Sequence, residues 1–427
     1  MAGLTDWLAR IRQTVRGDAA RPVSRLAAGT LLAQLTPVLL APVLTRLYSP
    51  DAYGALAWAV SIVTIATLVA TGCYDQAVNL PPERGTAAAL VYAVIGGGAC
   101  AATALTMASL VEWAGWSEAP HRLWFVPAAT VGTVAFNALS AWCVREACFG
   151  VLAAARVILA VAGVAVTLAL GCFGWGEAGL MAGNLVGIIA GTAMLLIGTA
   201  RHSSLPPPAG GLREVWHAAA AYRRFPAFLL PSSLLNSVTN QLPIWFLQRL
   251  FGPAVVGQYA LMNRVLSVPL SLLSSSAGEV FKQRAAAEFR ETGRSVTAWS
   301  AFAPPLAWVS VPAGVALLAA GPALFAAVFG ETWREAGHYA RVLAVFFVLR
   351  CFVSPLSYML IIAQRQKLDL LLQVGCLASA LGGLLAGMMS QRPAVALAVF
   401  GGGYSAIYLV YFVISRRLAL GPAAAQS

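Results

Sequence analysis

Charged side chains are scarce in this chain: 10% of 427 residues, against 59% hydrophobic residues and a mean hydropathy of +0.76. Soluble domains carry about 25% charge. The two or three soluble domains that the length alone would suggest are therefore excluded, and a polytopic membrane protein is expected. Acids are the scarcer sign, 16 against 28 Lys and Arg, and none falls near the middle of an apolar segment. Paired cysteines are missing too. Cys73, Cys100, Cys143, Cys172, Cys351 and Cys376 lie within or at the ends of apolar segments, and Cys148 sits in a short loop. None has CxxC spacing, so neither a disulfide framework nor a metal site is expected. His121, His202, His217 and His338 are isolated in loops. Gly96 to Gly98, Gly382, Gly383 and Gly401 to Gly403 lie inside apolar stretches with no following Lys-Ser/Thr pair. They permit close helix packing and do not make a phosphate loop. No cofactor is expected. No cleavable leader is expected either, because Met1 to Arg25 carries five Arg and no continuous apolar core. The first apolar segment is expected to stay in the mature protein.

What is present is a series of apolar segments about 20 residues long, the length that spans hydrocarbon. Twelve are expected to be transmembrane helices: 24–46, 54–79, 86–111, 123–144, 151–172, 178–200, 225–248, 256–280, 297–320, 340–363, 368–390 and 394–415. Before them, Leu4, Trp7, Leu8, Ile11 and Val15 follow helical spacing with Arg10, Arg12 and Arg16 between them. That pattern predicts an amphipathic helix on the inner membrane surface over residues 1–23. Trp7, Trp113, Trp116, Trp124, Trp299 and Trp333 fall near expected interfaces and read as anchors.

The segments form two related halves. LTRLYSPDAYG, from Leu44 to Gly54, has an echo in LQRLFGPAVVG, from Leu247 to Gly257. Arg46 and Arg249, Leu47 and Leu250, Tyr48 and Phe251, Pro50 and Pro253, and Gly54 and Gly257 share one offset. Each copy is expected to be a tight Pro/Gly turn between two helices, with an Arg at the exit of the first. Internal symmetry of this kind in an apolar chain marks transporters. The polar stretch 201–224, with Pro206, Pro207, Pro208, Gly210 and Gly211, reads as a cytoplasmic linker between an N-terminal lobe, 24–200, and a C-terminal lobe, 225–415, followed by a tail, 416–427.

The net charge of +12 does not point to nucleic acid, because the basic residues are scattered between apolar segments instead of forming one face. Loop asymmetry accounts for it. With the N-terminus inside, the cytoplasmic segments hold 20 of the 28 Lys and Arg, and the outer side holds Arg46, Arg122, Arg249, Arg334, Arg341 and Arg392. Arg264 and Arg350 remain within spans. The bias puts both termini in the cytoplasm.

The stretch GTLLAQLTPVLLAPVLTRLYSPDAYGALA, the following YDQAVNLP and the later block YRRFPAFLLPSSLLNSVTNQLPIWFLQRLFGPAVVGQYALMNRVLSVP, Tyr222 to Pro269, resemble Wzx-type polysaccharide and oligosaccharide flippases of bacterial inner membranes. These belong to the multidrug/oligosaccharidyl-lipid/polysaccharide exporter superfamily. Tyr74 and Asp75 stand where that family usually has Tyr-Glu. The resemblance implies an all-α polytopic membrane protein of about 12 helices, in two pseudo-symmetric six-helix lobes around a central cavity that opens alternately to each side. Peptidoglycan-precursor flippases of the superfamily usually add two further helices, which argues against that branch.

An Arg at a helix centre costs about 2.5 to 3.5 kcal/mol on the lenient insertion scale, so it turns to a partner or a wet cavity. Arg350 lies roughly 15 Å into its expected helix at 1.5 Å per residue. Neither it nor Arg264 has an acid within a helical turn in the sequence. A guanidinium binds two adjacent oxygens of a diphosphate at once, so Arg264 and Arg350, with Arg46 as a weaker third, are read as a cavity site for the diphosphate. The competing reading is that they bond helix carbonyls or snorkel; for Arg46 and Arg249, at helix C-termini, the dipole alone favours it. Asp75 and Glu279 end equivalent helices and are candidates to pair with Arg84, Lys282 or Arg284 across a cytoplasmic gate, ordinary interfacial charge being the alternative. Asn236, Asn240, Gln241 and Asn263, with Asn137 and Asn184, are candidates for sugar contacts; amides in bundles more often bond between helices.

These features imply a flippase moving polyprenyl-diphosphate-linked oligosaccharide across the bacterial inner membrane for surface polysaccharide biosynthesis. Its partners would be that lipid, membrane lipids, a polysaccharide polymerase and glycosyltransferases, with no nucleic acid. One rival is a cation-coupled small-molecule exporter of the same superfamily, whose members commonly depend on a midplane carboxylate. A second is a membrane glycosyltransferase or polymerase, for which the longest outer loop, 321–339, offers only Glu331 and Glu335. A non-transporting scaffold would leave the buried arginines without a purpose.

Overall fold

A computed structural model describes residues 20–115 and 120–421. The expected surface helix around Leu4 to Val15, with Trp7, and Trp116 lie outside them. Every regular element among the described residues is helical, and all twelve expected segments are found in helices. Ten are long and apolar enough to cross a membrane. The two that fall short carry the family-like block, where Asn236, Asn240 and Gln241, then Asn263, Arg264 and a run of serines, replace apolar residues. Helices of that composition need polar or protein surroundings over part of their surface.

The chain divides into two compact units, Met1–Gln241 and Leu242–Ser427. The first contains α1 (Ala20–Leu39), α2 (Ala41–Leu47), α3 (Pro50–Thr71), α4 (Tyr74–Ala77), α5 (Arg84–Gly115), α6 (Pro120–Arg145), α7 (Phe149–Cys172), α8 (Gly176–His202), α9 (Gly211–Ala221) and, after a π turn at Phe225–Leu229, the start of α10 (Leu230–Phe251). Pro37 and Pro42 flank the break between α1 and α2, since each lacks an N–H for the helical ladder. The second expected span stops at Thr71 instead of residue 79 because Gly72 and Cys73 take φ of 54° and 59°, which no helix continues.

The core of this unit is aliphatic. Leu90, Val91 and Val94 of α5 are buried against Val134, Ala138 and Trp142 of α6. Glycines on α7 and α8 let their backbones touch: a Cβ at Gly187 would lie 2.5 Å from the Leu159 carbonyl oxygen, and one at Gly183 would lie 2.9 Å from that of Gly163. This is the small-residue packing of membrane helices, in which dispersion replaces the hydrophobic drive.

The second unit holds α11 (Pro253–Thr292), α12 (Val296–Phe329), a 3-10 turn (Glu331–Trp333), α13 (Arg334–Val342), α14 (Ala344–Val353), α15 (Tyr358–Ile362), α16 (Gln366–Ser390) and α17 (Pro393–Leu420). Trp333, expected as an interface anchor, is only 1% exposed. Glu288 near the end of α11 accepts the backbone N–H groups of Thr297 and Ala298 at 2.9 and 2.8 Å. It thereby satisfies the first turn of α12 from a neighbouring helix.

Both copies of the repeated motif form the expected turn. Ser49 caps α3 by accepting the Ala52 N–H, and Pro50 occupies its first position. At the equivalent place Gly252, with φ of 84°, precedes Pro253 at the start of α11. Proline suits that position because its missing N–H would have no helical partner there. Tyr48 is buried in the first turn, and its hydroxyl donates to the Thr167 carbonyl at 2.6 Å.

Candidate functional site

A polar cavity of the C-terminal unit forms where a membrane helix is broken. Pro355 interrupts the segment that begins as α14, so a turn over Ser354–Ser357 separates it from α15. Arg350 stands in the last turn of α14, where the carbonyl end of the helix favours a cation. With Ser354, Ser357, Tyr358, Asp369 and the α11 serines Ser267, Ser271 and Ser274 it lines a cavity of about 440 Å³. Its guanidinium lies 5.8 Å from the Phe346 ring centroid and makes no ion pair or hydrogen bond with any described residue. A guanidinium carries five N–H donors on one planar group, and here none is taken by a described residue.

The serines belong to a longer stripe. Arg264, Ser267, Ser271, Ser274, Gly278 and Lys282 follow steps of three and four on α11, which places them on one face over roughly 27 Å at 1.5 Å per residue. Lys282 sits 5.5 Å from the ring centroid of Tyr358 at one end. Arg264, at the other, is exposed. Gly278 makes room for the same tyrosine, since a Cβ there would fall 2.7 Å from a Tyr358 ring carbon.

Asp369 was not singled out from the sequence. It accepts the Tyr411 hydroxyl at 2.8 Å on one oxygen and the Gln373 amide at 2.8 Å on the other. The available signal was an acid just inside an expected span, at a place that also suits an interfacial charge.

The remaining candidates separate clearly. Arg46 is exposed in the last turn of α2 and lines neither polar cavity. Arg84, a candidate gate partner for Asp75 or Glu279, lies 3.0 Å from Glu146 and donates to Ser203 at 3.0 Å. Glu279 is exposed on α11. Asn240 is satisfied by Asn236, donating to its side-chain oxygen and to its backbone carbonyl, both at 2.9 Å. Asn263 accepts from Ser267 at 2.9 Å, and Gln241 is half-buried. The side chains of Asn137 and Asn184 by contrast make no hydrogen bond with a described residue, and both line a second cavity, of about 390 Å³, in the N-terminal unit.

Asp75 borders that second cavity beyond the end of the α3 span. Burial lifts its carboxyl above the ordinary 3.8, against the backbone N–H groups of Asp75 and Gln76 and the Thr71 hydroxyl, which pull it down. A carboxyl raised in the fold destabilises it once ionised. Below 3.8 both folded and unfolded states are protonated and nothing is lost; as pH rises past that value the unfolded state ionises first and stability falls. Asp75→Asn is therefore expected to raise the Tm of the detergent-solubilised protein at neutral pH. Thermal scans across pH should show the gain shrinking as pH falls toward 3.8.

Comparison with known proteins agrees with this architecture. Residues 43–338 match the family described as "Polysaccharide biosynthesis protein". Teichuronic acid biosynthesis protein TuaB of Bacillus subtilis (strain 168) is 26% identical over 214 residues, covering 48% of this chain and 44% of that protein. The match thus spans less than half of the relative's length. Among solved structures, the lipid II flippase MurJ in an inward closed conformation aligns with 92% of this chain and 87% of its own, at a TM-score of 0.70 and 12% identity. A multidrug resistance MATE family transporter of the MOP superfamily, in an inward-facing conformation, covers 96% of this chain and 97% of its own, at a TM-score of 0.57 and 14% identity. Identities that low establish a shared fold and carry no cargo with them. A family match over most of the chain shows that the protein belongs to the family described as "Polysaccharide biosynthesis protein", and its fold is the one found in these transporters.

Proposed function

We propose that this transporter moves a polyprenyl-diphosphate-linked oligosaccharide from the cytoplasmic to the periplasmic leaflet of the bacterial inner membrane, by alternating access and without breaking a covalent bond. The observation that carries this reading is Arg350. It is half-buried, free of any acceptor among the described residues, and set in a cavity with serine hydroxyls. A fork of charged donors beside hydroxyls is the chemistry that recognises adjacent phosphate oxygens. Lys282 and Arg264 at the two ends of the α11 stripe extend the positive potential along the path of an anion. Both termini would lie in the cytoplasm, and the polymerase and glycosyltransferases of the same polysaccharide would be partners.

A cation-coupled small-molecule exporter is the second reading, and Asp369 is the observation that favours it. A hydrogen-bonded carboxylate in the same cavity offers a site for a proton or a cation. The test is the leaflet location of the lipid-linked oligosaccharide in cells depleted of this protein. The expected result is accumulation in the inner leaflet, reversed by the wild-type gene. Normal export on depletion in a strain without a second flippase, together with new drug sensitivity, would replace the flippase reading with the exporter.

A further inference from the structure

The second cavity has a different chemistry from the first. Four helices supply most of its polar lining: Thr64, Thr67 and Thr71 on α3, Thr133 and Asn137 on α6, Asn184 on α8 and Ser237 on α10. The threonines follow steps of three and four and so form one stripe. Amides inside membrane bundles ordinarily bond from helix to helix, yet Asn137 and Asn184 have no partner among the described residues. Thr67 is 6% exposed and its hydroxyl oxygen is buried without a hydrogen bond. Several donors and acceptors are thus held on a cavity wall with nothing among the described residues to satisfy them, and for the buried Thr67 hydroxyl that arrangement costs stability.

We propose that this cavity is the subsite for the neutral sugar hydroxyls of the cargo, and that it, and not the arginine cavity, selects which saccharide is carried. The inference rests on the flippase reading above. An amide or hydroxyl presents a donor and an acceptor together, and so does each hydroxyl of a pyranose. Val60, Val63, Leu68 and Ile188 supply apolar wall for the C–H faces of the ring. A phosphate is the wrong ligand, because the single ionisable group in the lining is an acid, Asp75. A bare cation is also a poor fit. Its oxygen ligands must converge to about 2.3–2.6 Å of one point, whereas the threonines alone spread over about 10 Å of α3. The volume of about 390 Å³ falls in the range of about 300–1,000 Å³ usual for small-molecule clefts. A site built to bond hydroxyls also rejects analogues that lack them, since its own groups are then left unpaired.

The test uses the purified full-length protein and three probes: bare polyprenyl diphosphate, the lipid-linked saccharide recovered from depleted cells, and radioactive sodium. Wild type is expected to bind the saccharide lipid about tenfold more tightly than the bare lipid. Asn137→Ala combined with Asn184→Ala should abolish that increment and keep bare-lipid affinity, which also reports an intact fold. Arg350→Ala should weaken both lipids alike. If the double variant loses bare-lipid binding through misfolding, the shape-conserving Thr133→Val and Thr67→Val decide by the same criterion. An increment that survives in folded variants overturns the subsite while leaving the flippase reading intact. Sodium binding lost in the variants with the sugar increment unchanged makes the cavity a cation site and overturns the proposal. Wild type binding neither lipid, or no saccharide lipid accumulating on depletion, defeats the flippase reading and this inference with it.

Discussion

Arg350→Ala is expected to reduce outward movement of the lipid-linked saccharide by about 10- to 100-fold, the factor that corresponds to losing charged hydrogen bonds of about 1.5–3 kcal/mol. The folded protein should survive the change. The Arg350 guanidinium forms no ion pair or hydrogen bond with the described residues, so its removal leaves no carboxylate stranded. Taking a guanidinium out of a membrane helix also relieves a cost of about 2.5 kcal/mol or more. Stability and transport should therefore move in opposite directions, which separates a binding role from a structural one. Arg350→Lys should recover part of the activity, because an ammonium keeps the charge without the planar fork. Arg350→Gln should recover little. A leaflet assay at matched protein levels, paired with thermal scans, reads both quantities. Full export by a stable Arg350→Ala protein would remove the arginine from the transport mechanism.

Gly187→Val should have the opposite profile and abolish the folded protein. The β-carbon alone would lie 2.5 Å from the Leu159 carbonyl oxygen and 3.0 Å from the Gly163 α-carbon. Both obstacles are backbone, so no side chain can turn away. The α7 and α8 axes would have to separate, losing the contacts at Gly163, Gly183 and Gly191 as well. Overpacking of ordinary cores costs about 1–3 kcal/mol. Here the cost should reach or exceed the top of that range. Size-exclusion chromatography after detergent extraction should show aggregate or no protein at all. A nearby control is Gly150→Val on the same α7, where a Cβ meets nothing within 4 Å; that protein should extract normally.

The elements legible in the sequence are those encoded locally. Twelve segments and the two Pro/Gly turns follow from residue type over short stretches; all twelve segments fall in helical regions, ten of them apolar enough to cross a membrane, and both turns form. Arg350 stood out for the same reason, as a cation in an apolar run. The chemistry around it did not, because it depends on pairs far apart in the chain. Asp369 looks like an interfacial acid until Tyr411, 42 residues on, is seen to donate to it. Asn236, Asn240, Asn137 and Asn184 are one residue type with two fates. The first two lie a turn apart, where Asn240 donates to Asn236, while the others sit on separate helices and line an open cavity. Arg84 illustrates the same limit. Asp75 is near in sequence, yet the guanidinium reaches Glu146 across a tertiary contact.

The polarity of α10 and α11 has a consequence for biogenesis. A translocon releases a segment into lipid according to its own free energy of transfer, and Asn, Gln and Arg near the middle of a span make that transfer unfavourable. These two consecutive helices are the expected spans too polar to cross a membrane by composition alone. Neither has a reason to leave the channel alone. They must either exit together, hiding their amides and serines against each other, or wait for the apolar α12 that follows. Threading of the C-terminal unit is therefore settled late, by partners and not by the order of synthesis. Substitutions that make α10 or α11 greasier would ease insertion while removing the groups that a hydrated path requires.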